Sequence, residues 1–460
     1  MNIFLRRAQA YIAYRLQSFR TEISSKRISK LDADYDHAAI ARELKRQIRV
    51  VQPSGTRKKA NVLFLPKAGH TEDIMACFGQ SSAYGLYALD RRLVKAVFEK
   101  LLPITIDDNN YKVEDEAINT RKDALRKLWK RILPSLVGET RIDAVFSGNF
   151  SYAAEQELAG ACSELGIPFI AIHKECLKTD LLKKFYEDVY RTRKNAFQGA
   201  KSLVYNNAER DIQVGSGCVR PDQIEVVGMP RLDALHLARR VLEKKDRISR
   251  ARPLALLFSF NSKSGLPSTG RKCIGFEKLS SDLEQLNMPN LVRNVHRRFV
   301  DLAREHGDVD FVIKAKGNAD SDNVLRECLA GQQFPPNLTV VSSGDPMDLL
   351  VRCSVACGIN STALIEAIAL KKPVVTFAFD EAADQRIKDY CLDLDGVAEV
   401  AASVDELGEM LLRHVRSAPE TRLHQGFSER ELEVLDYYVG NTDGLAGARV
   451  RESLDALLRG

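Results

Sequence analysis

At 460 residues the chain is too long for one ordinary hydrophobic core, so two or more domains are expected. With 45% hydrophobic and 28% charged residues and no apolar run long enough to span a bilayer, it reads as a globular protein of aqueous phase. The formal charge is +6, but residues 1–60 hold 14 Lys/Arg against 5 Asp/Glu, so the remainder carries −3 and no basic groove for nucleic acid extends over the fold.

The chain opens on "MNIFLRRAQAYIAYRLQSF". Leu5, Ala8, Ile12, Leu16 and Phe19 follow helical spacing, with Arg6, Arg7, Arg15 and Arg20 around them. A basic amphipathic helix over residues 1–25 either lies on an anionic membrane surface or packs on protein. No apolar core with a small-residue cleavage site accompanies the arginines, so no secretory signal is expected. The 9 cysteines are scattered, and Cys353 and Cys357 are the one close pair. No second pair completes a zinc site and no metal-ligand constellation stands out, which fits buried thiols in a reducing cytoplasm.

"QPSGTRKKA" reads as a linker closing an N-terminal segment, 1–59. From Asn61 the chain alternates apolar strands with helices: "NVLFLP", a helical region around Leu86–Leu102, the basic helix "RKDALRKLWKRIL", "DAVFSG", a helix, "IPFIAIH", a helix, "KSLVYN" and "QIEVVG". Continuous apolar strands between helices mean a parallel sheet covered on both faces. A helical, then charged connection follows. The pattern restarts with "PLALLFSF", a helix, "DFVIKA", "LTVVSSG", "SVACG" and "KPVVTFAF". The expected fold is α/β, with two doubly wound Rossmann-like domains, 60–240 and 252–417, a cleft between them, and C-terminal helices over 418–460. Ligands in such sheets bind beyond the carboxyl ends of the strands. No G-x-G-x-x-G opens either domain, which argues against a dinucleotide oxidoreductase, and no G-x-S-x-G elbow is present.

The strand-end loops hold the candidate chemistry. In "CGINSTALIEA", Asn360 or Ser361 can cap a helix beginning near Thr362, and free N–H groups beside Ser and Thr hydroxyls suit phosphate. Glu366 lies one turn after Thr362 and could accept hydrogen bonds from a ribose diol; an ordinary capped helix is the alternative. Lys314 and Lys316, two apart at the end of "DFVIKAKGN", can balance a diphosphate or stand solvated. "SFNSKSGLPS" is a polar loop facing the same side. In the first domain "LPKAGHTED" supplies His70 and Glu72, "FSGNFSY" supplies Ser147, Gly148 and Asn149, and "IAIHKECLKTD" supplies His173, Lys174 and Glu175. His70, His173 and Glu175 are candidate general bases for an attacking hydroxyl, or structural polar groups.

"IEVVGMPRLDAL" resembles the end of the N-terminal domain in GT-B enzymes, including sugar-nucleotide epimerases and bacterial glycan polymerases. "CGINSTALIEAIALKKPVVTFAF" resembles the donor-nucleotide segment of GT-B glycosyltransferases, especially those of capsule and other surface-polysaccharide synthesis. The resemblance covers roughly residues 60 to 415. It implies a transferase that moves a sugar from a nucleotide-sugar donor to a glycan or lipid-linked acceptor, with no cofactor beyond the donor substrate and no obligatory metal. It implies that Ser361, Thr362 and Glu366 hold donor phosphate and ribose. The family's "K-x-H-P" sequence is "KAKGN" here, and the family's base varies between members. A location in the cytoplasm, or peripheral at the inner face of the cytoplasmic membrane, follows. A non-hydrolysing sugar-nucleotide epimerase, a polyol-phosphate transferase and a non-catalytic two-lobed binding protein are the alternatives.

Overall fold

The structure, a computed structural model, describes residues 3–33, 36–56, 58–244, 252–266, 285–315, 325–330, 333–342, 344, 346–417 and 426–459. The chain divides into two compact units: Met1–Glu175, Glu187–Arg231 and Ala446–Gly460 form the first, Cys176–Tyr186 and Leu232–Leu445 the second.

In order, the first half contains α1 (Ile3–Lys30), α2 (His37–Gln47), β1 (Arg49–Gln52), β2 (Ala60–Phe64), α3 (His70–Phe78), β3 (Tyr84–Ala88), α4 (Arg91–Phe98), α5 (Glu116–Thr140), β4 (Ala144–Ser147), α6 (Ala153–Glu164), β5 (Phe169–His173), α7 (Asp180–Arg193), β6 (Lys201–Val204), α8 (Asn207–Gly215) and β7 (Ile224–Val226). The strands form one sheet in the order β1-β3-β2-β4-β5-β6-β7, parallel except for β1, which pairs antiparallel with β3. Strands β2, β4 and β5 are buried at every residue, which is why they read as unbroken apolar runs.

Two elements of the first half differ from the sequence reading. The helical region expected around Leu86–Leu102 begins as strand β3 and turns helical only at Arg91, where Asp90 caps α4 through the Arg92 N–H. The segment ahead of the first core strand also contributes an edge strand, β1. The N-terminal helix forms and packs against α4 and α2. Its second half buries Thr21, Ser24 and Ile28 and leaves Leu16 and Phe19 exposed. Side chains 1–15, including Leu5, Ala8 and Ile12, lie outside the described residues. Among the described residues no helix is long and apolar enough to cross a membrane.

The second half contains α9 (Leu232–Glu243), β8 (Leu254–Phe258), α10 (Pro289–Glu305), β9 (Asp310–Lys314), β10 (Leu338–Val341), α11 (Met347–Arg352), β11 (Val355–Cys357), α12 (Thr362–Ala369), β12 (Val374–Phe377), α13 (Gln385–Lys388), β13 (Glu399–Ala401), α14 (Val404–Arg416), α15 (Glu429–Val439) and α16 (Ala446–Leu457). Its sheet runs β10-β9-β8-β11-β12-β13, all parallel. A core of Leu257, Phe299, Phe311, Ile313 and Leu411 fills one side of that sheet. Helix α16 belongs to the first unit, where it packs on α3, and Asp455 pairs with Lys59 at 2.7 Å and accepts from the Tyr84 hydroxyl at 2.8 Å. The expected α/β class of two Rossmann-like sheets is what the strand orders describe.

Both orders contain a reversal. Counted along the chain, the second sheet reads 3-2-1-4-5-6, reversing between β8 and β11. The parallel part of the first reverses between β2 and β4. At such a switch point the loops leaving the two strands run in opposite directions, and a crevice opens at their carboxyl ends.

Candidate functional site

In the second unit the β8 and β11 loops are fastened together. Asn360 sits at φ 49, in the left-handed region, and its amide donates to the Ser264 carbonyl at 3.2 Å and accepts from the Leu392 N–H at 3.0 Å. Asn360 therefore spends its side chain on neighbouring loops, and Ser361 is the cap of α12. The Ser361 hydroxyl accepts from the Ala363 N–H at 3.3 Å, and the Ser361 carbonyl from Leu364 at 3.0 Å. Ser361 and Thr362 are half-buried at this helix start, at the carboxyl end of β11.

The β8 loop is pinned from within. Asn261 accepts from the Lys263 N–H at 3.0 Å, and Ser264 Oγ accepts from the Asn261 N–H at 3.0 Å. Ser259 lies 3.0 Å from His296 Nε2, whose Nδ1 faces the Val292 carbonyl at 2.6 Å. Burial pushes the His296 pKa down to about 4. A neutral ring donating from Nδ1 then accepts the Ser259 proton at Nε2. Lys314 ends β9 half-buried, its ammonium 3.1 Å from the Ala315 carbonyl. Lys316 lies outside the described residues, as do Pro267 and Ser268. Glu366 is buried, 8% exposed, on a helix that packs against α9 and α15. The structure thus brings Ser361, Thr362, Asn360 and the β8 loop together and leaves Glu366 mostly covered.

In the first unit the three candidate bases sit in different surroundings. His70 opens α3 and is fully buried beneath Gly148, where a Cβ would stand 3.0 Å from the His70 Cβ. Desolvation, only partly offset by the nearby Phe146 carbonyl, pushes its pKa down to about 3, and neither ring nitrogen makes a hydrogen bond within ordinary limits. His173 ends β5, also buried. Its Nε2 lies 3.0 Å from the carboxylate of Glu209, which accepts from the Tyr190 hydroxyl at 3.1 Å and from Gln213 at 2.9 Å. Glu175 is the exposed one, with 58% of its side chain accessible and Lys174 at 3.3 Å. Desolvation pushes the Glu175 pKa up, but Lys174, His173 and Lys67 outweigh it and hold the carboxyl below its ordinary value.

Around Glu175 stand cations the sequence did not single out. Lys67, in the loop after β2, donates to the Tyr152 hydroxyl at 2.5 Å, and its ammonium lies 4.3 Å from that ring's centre. Arg91 stacks on the Tyr152 ring at 3.8 Å and pairs with the buried Glu155 at 2.5 Å. Arg231, from "GMPRLDAL", lies 3.3 Å from the buried Asp73, whose carboxylate also takes the Tyr205 hydroxyl. Desolvation raises the Asp73 pKa against the pull of Arg231. The signal available beforehand was positional: each of these residues follows a strand end or opens the next helix.

No family model matches the chain, and no curated protein matches it. Solved structures similar to it include a UDP-GlcNAc 2-epimerase from Neisseria meningitidis bound to UDP-GlcNAc, at 12% identity over 86% of this chain and 99% of that one, with a TM-score of 0.45. Others are the glycotransferase of kitacinnamycin, at 16% identity over 87% and 100% with a TM-score of 0.41, and the trehalose 6-phosphate synthase of Burkholderia multivorans, at 11% over 87% and 96% with a TM-score of 0.44.

Proposed function

We propose that the protein is a glycosyltransferase, taking a sugar from a nucleotide-sugar donor held on the second unit to a glycan or lipid-linked acceptor held on the first. One observation carries the reading: the β8 and β11 loops at the switch point of the second sheet are bonded to each other through Asn360, beside a helix start that offers the Ser361 and Thr362 hydroxyls and the positive end of the peptide dipole. Phosphate oxygens suit that end, with Lys314 as the nearby cation.

Glu175 is the base in this reading. His70 and His173 are buried, so an acceptor hydroxyl reaches neither without rearrangement, whereas the Glu175 carboxylate is exposed and ionised at neutral pH. It accepts the hydroxyl proton as the oxygen bonds to the anomeric carbon and the bond from that carbon to the nucleotide phosphate breaks. The charge left on the nucleotide is stabilised by the α12 N–H groups.

The test is incubation with a panel of UDP-, GDP- and CDP-sugars, with and without saccharide acceptors, reading free nucleotide. Release that depends on acceptor supports transfer. Conversion of a donor to its epimer without an acceptor would replace the reading with an epimerase.

A further inference from the structure

The first sheet has its own reversal of strand order, between β2 and β4. The loop leaving β2 ends at Gly69, the cap of α3, with φ 82. A Cβ at Gly69 would stand 3.5 Å from Lys174 Cδ, 3.9 Å from Lys174 Nζ and 3.7 Å from Arg231 Nη1. Two cations from loops after β5 and β7 therefore converge on one point above the start of a nine-residue helix. At the start of α3 the Thr71 N–H is bonded to the Lys67 carbonyl at 2.9 Å and the Asp73 N–H to the Gly69 carbonyl at 3.1 Å, which leaves the His70 and Glu72 N–H groups between them for a ligand.

The charge around that point is unevenly matched. Arg231 is matched by Asp73, Arg91 by Glu155, and Lys174 by Glu175. Lys67 touches the Tyr152 hydroxyl and ring but, among the described residues, no carboxylate. Desolvation, then Lys174 and Arg91, push its pKa down, and Glu175 and Asp108 only partly offset them. A desolvated ammonium crowded by cations is relieved by an incoming anion. A phosphoryl group, with several acceptor oxygens, fits two ammonium groups and a row of helix N–H donors better than a single carboxylate does.

We propose that the first unit binds a phosphoryl group over Gly69, held by Lys67 and Lys174 and by the N–H groups that open α3. The assignment of that phosphoryl group to the acceptor rests on the transferase reading; the anion site itself does not. Glu175, paired with Lys174, then stands beside a phosphorylated acceptor, so one lysine holds the substrate and sets the charge state of the base.

Calorimetric titration of the full-length protein tests this, with inorganic phosphate, glucose 6-phosphate, glucose and UDP as probes. Glucose 6-phosphate and phosphate are expected to bind and glucose not to. Lys67→Ala with Lys174→Ala should weaken both anions about tenfold or more, the scale of one charged hydrogen bond, and leave UDP unchanged. Lys67→Arg, which keeps the charge, should retain most of the binding, and thermal unfolding checks that each variant folds. Absence of binding by both anions to the wild type, or equal affinities in folded lysine variants, would overturn the site. Parallel loss of UDP in those variants would assign the cations to donor phosphate and overturn the acceptor. Binding of glucose 6-phosphate through Lys67 with no binding of UDP, GDP or CDP would leave this site standing and remove the donor reading instead.

Discussion

The side chain of Asn360 occupies the space a Cβ on Gly265 would need: such an atom would stand 2.0 Å from Asn360 Nδ2. Gly265 is at φ 80, and the neighbouring Ser264 carbonyl takes the Asn360 proton. Gly265→Ala therefore meets both a left-handed backbone and a steric overlap. A loss of about 2 kcal/mol in the second unit is expected, from a strained conformation and overpacking together. Thermal unfolding measures it, and calorimetry with UDP should show weakened binding because the two loops part. Unchanged stability would mean that the loops are not clasped as described.

Capping and ligand binding at Ser361 can be separated by charge. Aspartate caps a helix as well as serine does, so Ser361→Asp should leave stability within about 0.5 kcal/mol. The added carboxylate would repel a donor phosphate, and nucleotide affinity should fall by roughly tenfold or more. Equal nucleotide affinity in wild type and Ser361→Asp would make this an ordinary capped helix.

Glu175 is expected to serve as an ionised base across the neutral range. Its pKa is held below the ordinary value, so the acid limb of turnover should fall below about pH 4.5, not near the pH 6.5 of a histidine. Glu175→Gln should lower kcat by roughly a hundredfold with little change in donor KM. A limb centred near 6.5, or near-normal turnover in that variant, would move the role to another group.

What the sequence made legible follows burial. "LALLF" and "FIAIH" announced themselves because both faces of those strands are covered. "YGLYA" was lost inside an apolar stretch that continues into α4, and "RVVQ" and "EVA" are short edge strands with too little burial to leave a pattern. The Ser361 cap was readable because a cap and its N–H are neighbours in sequence. The partner of Asn360 is 96 residues away, so its structural use was invisible. Lys67, Arg91, Lys174 and Arg231 come together only once β2, β3, β5 and β7 have joined one sheet, and no local spacing encodes that.

Arg231 is expected to be a stability residue first. Its removal leaves Asp73 buried and without its cation, which costs about 3–5 kcal/mol by analogy with broken buried pairs. Arg231→Ala should destabilise the first unit by that order, and Arg231→Ala with Asp73→Asn should recover much of it, since a neutral amide needs no counter-charge. Urea unfolding of the three proteins checks the cycle. Additive losses would show that the two side chains are not coupled.

His70 gives the last prediction, through acid stability. Its native pKa is about 3 against an ordinary 6.5, so between those values the unfolded chain holds a proton that the native state does not. The unfolded state then binds more protons, and stability must fall as pH drops through that window, by at most about 1.4 kcal/mol per pH unit from this one group. Above pH 6.5 both states are neutral there and the slope vanishes. His70→Leu removes the group at similar volume and loses little besides the approach of the Phe146 carbonyl, because neither ring nitrogen has a hydrogen bond within ordinary limits. His296, pushed down to about 4 in the second unit, keeps its own contribution in both proteins, so the difference between them isolates His70. Urea unfolding at pH 7, 5.5 and 4.5 should show the variant gaining on the wild type as pH falls. A difference that stays constant over that range would mean that His70 titrates in the native protein as freely as in the unfolded chain, which would restore it as a candidate base at the start of α3.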